Sequence, residues 1–82
     1  MTIYFYTKKD CSLCVEGLET LQKLQNKHHF SIEERDIYTQ DEWLEKYQIR
    51  IPVIETEDGT VLDEGIISFN HLEEKIHLLF SV

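Results

Sequence analysis

Hydrophobic and polar residues follow different periods along the chain, and these periods predict its first three elements. Residues 2–7 (TIYFYT) are β-branched or aromatic throughout, which predicts a central strand with apolar side chains on both faces. Residues 12–29 carry leucines at helical spacing, which predicts a first helix. Residues 30–38 predict a second strand, and the charged residues at its centre indicate a strand at the edge of the sheet.

A short second helix is expected to begin at Thr39. Thr39 and Glu42 have the spacing of a capping box, in which the two residues satisfy each other's backbone N–H groups. Trp43, Leu44 and Tyr47 then form one apolar stripe along the helix. We interpret this stripe as a packing surface and not as a platform for a ligand.

Two short strands and a last helix complete the pattern. The strands are expected at residues 52–55 and 60–63, and the Asp58-Gly59 pair between them is typical of a hairpin turn. Apolar residues at helical spacing predict the last helix over residues 68–80.

This order of elements, β-α-β-α-β-β-α, predicts an α/β fold. The opening βαβ unit requires a parallel pair of strands joined by a right-handed crossover. The closing hairpin adds an antiparallel strand, so we expect a four-stranded mixed sheet flanked by helices. A length of 82 residues predicts a single domain over residues 1–82 with a modest core.

The charge of the chain narrows the range of partners. The sequence has 16 acidic and 8 basic residues, a formal net charge of −8. Binding to nucleic-acid phosphates requires a basic face, so we expect no nucleic-acid partner. No basic leader follows Met1, and no apolar run is long enough to cross a membrane. We therefore expect a cytoplasmic protein, acting as a monomer, with no membrane partner.

The candidate chemistry lies in the segment KKDCSLC, which holds the chain's two cysteines, Cys11 and Cys14. Cys11 is expected at the junction between the first strand and the first helix. There the unpaired N–H groups and the positive end of the helix dipole stabilise a thiolate, which is the reactive form of cysteine. Cys14 lies three residues later on the same helical face, within reach of a mixed disulfide on Cys11. This spacing predicts a redox pair, with Cys11 as the nucleophile and both residues catalytic.

Three other interpretations of the cysteine pair stay open. The cysteines could be small buried hydrophobic residues without a reaction, as free cysteines often are. A metal ion or an iron–sulfur cluster could be bound through Cys11 in a dimer. The fold could also bind a partner protein with little turnover. Zinc needs about four ligands, and His28 and His29 lie several helical turns from Cys14, so we expect no metal site within one chain.

Four segments together resemble the glutaredoxin branch of the thioredoxin superfamily. They are IYFYTKKDCSLC, ERDI, YQIRIPVI and DGTVLDEG. The sequence is most similar to the small bacterial glutaredoxin-like proteins that carry Cys-x-Leu-Cys. The resemblance implies a glutaredoxin-like fold and a thiol–disulfide oxidoreductase.

The resemblance also implies three substrate-binding residues. Members of the family have a cis proline that faces the cysteines, and Pro52 matches it. The residue before that proline pairs with the backbone of a bound thiol peptide, and Ile51 matches this position. Glutaredoxins have a lysine three residues before the first cysteine, and Lys8 matches it.

The sequence departs from the family pattern at two places. Ser12-Leu13 stands where many glutaredoxins have Pro-Tyr, and Asp63-Glu64-Gly65 replaces the Gly-Gly-x-x-Asp segment that holds one end of glutathione. We therefore expect weak binding of glutathione. No cofactor is expected to be built in, and glutathione or another low-molecular-weight thiol is expected as a co-substrate. The expected partners are a disulfide-containing protein or low-molecular-weight thiol and a thiol-reducing system.

Overall fold

The computed structural model describes residues 1–80, and it contains the predicted order of helices and strands with one added 3-10 turn. The fold class is therefore confirmed. Residues 81 and 82, which the single-domain prediction includes, lie outside the described residues. The elements are β1 (Thr2–Thr7), α1 (Ser12–Gln25), β2 (Ser31–Asp36), a 3-10 turn (Ile37–Thr39), α2 (Asp41–Tyr47), β3 (Val53–Thr56), β4 (Val61–Glu64) and α3 (Phe69–Phe80).

The four strands form one mixed sheet in the order β2-β1-β3-β4. β1 pairs with β2 in parallel and with β3 in antiparallel orientation, and β3 pairs with β4 in antiparallel orientation. β1 is central and β2 lies at an edge, as predicted. A loop of four residues, 8–11, joins the carboxyl end of β1 to the start of α1, where the cysteines are.

Each face of the sheet packs against its own set of helices, because successive strand residues point to opposite sides. The first core lies under α1 and α3, and its buried residues include Ile3, Phe5, Cys14, Leu21, Ile54 and Ile76. The second core lies under α2, and its buried residues are Tyr6, Ile37, Tyr47 and Val53. Trp43 and Leu44 pack against the second core, in agreement with the interpretation of the stripe on α2.

Two predicted boundaries and one predicted cap are wrong. α1 ends at Gln25 and not at His29, because the chain turns at Asn26, where N–H groups bond back to the last carbonyls of the helix. β2 ends at Asp36, whose side chain accepts a hydrogen bond from the N–H of Tyr38 at 2.9 Å. Such local bonds compete with strand pairing and start the 3-10 turn.

Thr39 does not cap α2. Its hydroxyl donates instead to the carbonyl of Asp36 at 2.7 Å, as part of the 3-10 turn. The N-cap residue is Gln40, which makes no side-chain capping hydrogen bond. Spacing alone therefore predicted a capping box that does not form, because the 3-10 turn uses the Thr39 hydroxyl that the box would require.

The predicted hairpin turn between β3 and β4 is present. Gly59 has a φ of 89°, which a residue with a side chain rarely adopts. The N–H of Thr56 donates to the carbonyl of Thr60 at 3.0 Å and closes the turn. None of the helices within residues 1–80 has the length and apolar character needed to cross a membrane.

Candidate redox site

The two cysteines form a disulfide at the N-terminus of α1, with their Cα atoms 5.2 Å apart. Cys11 is the N-cap residue, with an extended backbone (φ −125°, ψ 104°). Its sulfur accepts a hydrogen bond from the N–H of Cys14 at 3.2 Å. Its carbonyl accepts the first helical N–H groups, from Cys14 and Val15. Cys11 thus lies where a helix offers its unpaired donors and the positive end of its dipole.

The two sulfur-bearing residues differ in exposure. Cys14 is 2% exposed and belongs to the first core. Cys11 is partly buried and packs against the same core. A reagent in solution therefore reaches Cys11 more readily than Cys14, which is the order required when Cys11 reacts first.

An open depression of about 580 Å³ lies beside the disulfide. It is formed by the end of β1, the loop that follows, the first turns of α1 and one residue of β2. Its charged lining residues are Lys8, Lys9, Asp10 and Glu34. Lys8 and Lys9 are exposed, so their ammonium groups are available to a ligand in this depression.

The Ile51–Pro52 peptide bond is cis, and Pro52 is fully buried. Pro52 lies against α1 at Gly17, where a Cβ atom would come within 3.2 Å of the proline Cγ. Ile51 packs against both cores. Pro52 therefore meets α1 one turn after Cys14, whereas neither Pro52 nor Ile51 lines the depression beside the disulfide.

The backbone of Ile51 is partly committed within the chain. Its N–H donates to the carbonyl of Tyr47 at 3.1 Å. A bound peptide can therefore pair with Ile51 only through the Ile51 carbonyl oxygen. The role that the resemblance implies for Ile51 is therefore limited to accepting a hydrogen bond from a bound peptide.

Four residues around this turn were not among the predicted site residues. Gly17 and Ile67 pack with Pro52, and a Cβ atom at Gly17 would come within 2.9 Å of Ile67 Cγ1. The N–H of Gly65 donates to the carbonyl of Pro52 at 2.8 Å, and Tyr47 bonds Ile51. Only Gly17 carried a signal, because an isolated glycine inside a helical pattern indicates a close approach by another segment.

An ion pair joins the segment before Pro52 to the end of β4. Arg50 Nε lies 2.7 Å from a carboxylate oxygen of Glu64. This hydrogen bond raises the pKa of Arg50 above its usual value. Both side chains are partly exposed, so the pair adds little to stability.

The described residues contain no group of three or more histidine, cysteine, aspartate or glutamate side chains that could hold a metal ion.

A family model described as "Glutaredoxin-like domain (DUF836)" matches residues 2–77 of the chain. No curated protein matches the chain significantly.

Three solved structures share the fold. A structural genomics target protein from X. campestris has a TM-score of 0.76 at 21% identity, over 93% of this chain and 96% of that one. A malarial protein has a TM-score of 0.68 at 18% identity, over 98% and 97%. Thioredoxin 1 from Thermosipho africanus has a TM-score of 0.62 at 15% identity, over 99% and 100%. At these identities the likeness concerns the fold, which is thioredoxin-like.

Proposed function

This chain belongs to the glutaredoxin-like domain family, and from that premise we propose that it is a thiol–disulfide oxidoreductase in which Cys11 and Cys14 alternate between dithiol and disulfide. The observation that carries the proposal is the position of the pair. Cys11 caps the helix next to an open depression, and Cys14 lies within bonding distance of it in the first core.

The reaction proceeds in two exchanges. The Cys11 thiolate attacks one sulfur of the substrate disulfide, so that a mixed disulfide forms and the other substrate sulfur leaves as a thiolate. The Cys14 thiolate then attacks the Cys11 sulfur, and the second substrate sulfur leaves. Two electrons pass to the substrate, which takes up two protons, and the protein is left with the Cys11–Cys14 disulfide. A thiol-reducing system restores the dithiol by the reverse exchange.

Three residues are proposed to contact the substrate. Lys8 lines the depression beside Cys11, which supports a role in binding a substrate carboxylate. Pro52 borders α1 one turn beyond Cys14, and Ile51 directly precedes it, which supports a role of both residues in docking a peptide that carries the reacting disulfide. The substrates are disulfide-containing proteins or low-molecular-weight thiols in mixed disulfides. Glutathione or another low-molecular-weight thiol is the co-substrate, and the protein acts in the cytoplasm as a monomer.

The test is the reaction of the reduced protein with bis(2-hydroxyethyl) disulfide and with insulin. We expect the intact mass to fall by two hydrogens with both oxidants, and peptide mapping to place the new bond between Cys11 and Cys14. Reduced insulin chains should appear in proportion to the amount of Cys11–Cys14 disulfide that forms. A protein that stays reduced with both oxidants, or that carries bound zinc or a visible chromophore after purification, would overturn the proposal.

The Lys8→Gln variant is expected to react more slowly with disulfides that bear carboxylates. The ammonium group of Lys8 is exposed, so the loss should be modest, roughly twofold to fivefold for oxidised glutathione. The rate with bis(2-hydroxyethyl) disulfide should not change, since this oxidant is uncharged. The measurement is the rate of disulfide formation at low and at high salt, with Lys23→Gln at the other end of α1 as the control. Equal slowing of both oxidants would contradict a carboxylate contact.

A further inference from the structure

Residues 50–55 form the segment that carries Ile51 and Pro52, and Tyr47 makes hydrogen bonds to both ends of it. The carbonyl of Tyr47 bonds the beginning of the segment, and its hydroxyl bonds the end. We infer that Tyr47 is a positioning residue for the redox reaction, which holds this segment against α1 beside the cysteines. The inference rests on the proposed function and adds to it a residue that neither the motif nor the spacing of the cysteines indicates.

The hydroxyl of Tyr47 fixes the far end of the segment. It donates a hydrogen bond to the carboxylate of Glu55 in β3 at 2.6 Å. Glu55 is 3% exposed, so this carboxylate is removed from water and depends on a donor from the protein. Burial, together with the hydrogen bond to Glu55, raises the pKa of Tyr47 well above its usual value. The hydroxyl therefore stays protonated, and stays a donor, throughout the pH range in which thiols react.

The carbonyl of Tyr47 fixes the near end. It accepts hydrogen bonds from the N–H of Arg50 at 2.8 Å and from the N–H of Ile51 at 3.1 Å. Tyr47 is also the last residue of α2, so these two bonds join the end of that helix to the turn. The direction in which Ile51 presents its carbonyl to a substrate is thereby set.

The ring of Tyr47 cannot shift without disturbing β1. It stacks on the ring of Tyr6 with centroids 4.0 Å apart and planes at 23°. Tyr6 is buried in the central strand, one residue before Thr7, which lines the depression beside Cys11. At the other end, Pro52 packs against Gly17 of α1. A continuous set of contacts thus runs from Tyr47 through the segment to the helix that carries Cys14.

The experiment separates positioning from general stability by using two reagents. Tyr47→Phe removes the hydroxyl and keeps the ring. We expect alkylation of Cys11 by iodoacetamide to stay within about twofold of the wild-type rate, because this small reagent needs no docking segment. We expect kcat/KM for insulin reduction to fall roughly tenfold, because a small misplacement of a docking group is costly. Exchange of the Arg50 and Ile51 amide hydrogens should become roughly tenfold faster.

Two further variants test the acceptor. Glu55→Gln keeps an oxygen that accepts the Tyr47 hydroxyl, so it should retain insulin reduction within about threefold. Glu55→Leu removes the acceptor and should behave as Tyr47→Phe does. Ile76→Val, which removes one methylene from the first core at α3, serves as a control that loses stability and keeps every hydrogen bond of Tyr47.

The outcomes distinguish this inference from the function on which it rests. A wild-type protein that reduces no disulfide would overturn both. A wild-type protein that reduces insulin, together with a Tyr47→Phe variant that does so equally fast, would overturn the inference alone. An equal loss in Ile76→Val, or failure of both Tyr47→Phe and Glu55→Leu to fold, would assign Tyr47 a purely structural role and overturn it as well.

Discussion

Cys11→Ser is expected to abolish the reaction of the protein with disulfides, whereas Cys14→Ser is expected to react once and then stop. A serine hydroxyl does not ionise near neutral pH, so the rate with bis(2-hydroxyethyl) disulfide should fall by at least about a hundredfold in Cys11→Ser. In Cys14→Ser the first exchange still occurs at Cys11. The resulting mixed disulfide then has no neighbouring thiol to resolve it.

Intact-mass spectrometry checks both outcomes. Cys14→Ser should accumulate one adduct of 2-mercaptoethanol per chain, located on Cys11, and Cys11→Ser should accumulate none. Alkylation rates measured against pH should show that Cys11 reaches its reactive form at lower pH than Cys14. The helix N-terminus faces the Cys11 sulfur, and Cys14 is buried in the first core. If Cys14 is instead the thiol that alkylates faster and at lower pH, the order of the two exchanges is wrong even though the fold is right.

Gly17→Val is expected to lower the free energy of unfolding by about 1–3 kcal/mol. A side chain at this position of α1 meets Ile67 Cγ1 at 2.9 Å and Pro52 Cγ at 3.2 Å, both of which are closer than an ordinary contact. Either α1 or the side chains of Ile67 and Pro52 must therefore shift. Because Cys14 lies one turn earlier on the same helix, insulin reduction should fall as well.

Urea denaturation measures the loss of stability. Gln22→Val places the same side chain on the exposed side of α1 and should change the free energy of unfolding by less than about 0.5 kcal/mol. In an Ile67→Ala background the nearest obstacle is gone, so the cost of Gly17→Val should shrink by at least about 0.5 kcal/mol. A Gly17→Val protein as stable as the wild type would show that the segment moves aside without cost.

The order of elements was predictable because each one carries its own local signal. The run of β-branched and aromatic residues in β1, the leucines of α1 and the Asp58-Gly59 turn are all signals that act over a few residues. The position of the cysteine pair was predictable for the same reason. A Cys-x-x-Cys segment between a strand and a helix has only one place to lie, at the N-terminus of that helix. The roles of Cys11 and Lys8 in catalysis and binding stay predictions.

Local signals failed where two short-range interactions competed for the same group. The hydroxyl of Thr39 could cap α2 or bond Asp36, and the sequence pattern did not weigh one against the other. The structure has the second bond, so the 3-10 turn replaced the expected cap. The predicted end of α1 was also wrong, because the apolar spacing stops at Leu24 and the polar residues after it gave no signal for the turn at Asn26.

The amino-acid sequence alone was enough to predict the mixed sheet, the helix that carries the cysteines and the spacing of the two thiols. The surroundings of those thiols were decided by the tertiary structure. Residues distant in sequence meet there, such as Gly17 with Pro52 and Ile67, and Tyr47 with Tyr6 and Glu55. The periodicity of hydrophobic residues does not encode such contacts, because they form only when α1 and α2 pack onto the sheet that contains β3 and β4. Hydrophobic pattern specifies which face of an element is buried, and close packing of particular side chains then selects its neighbours.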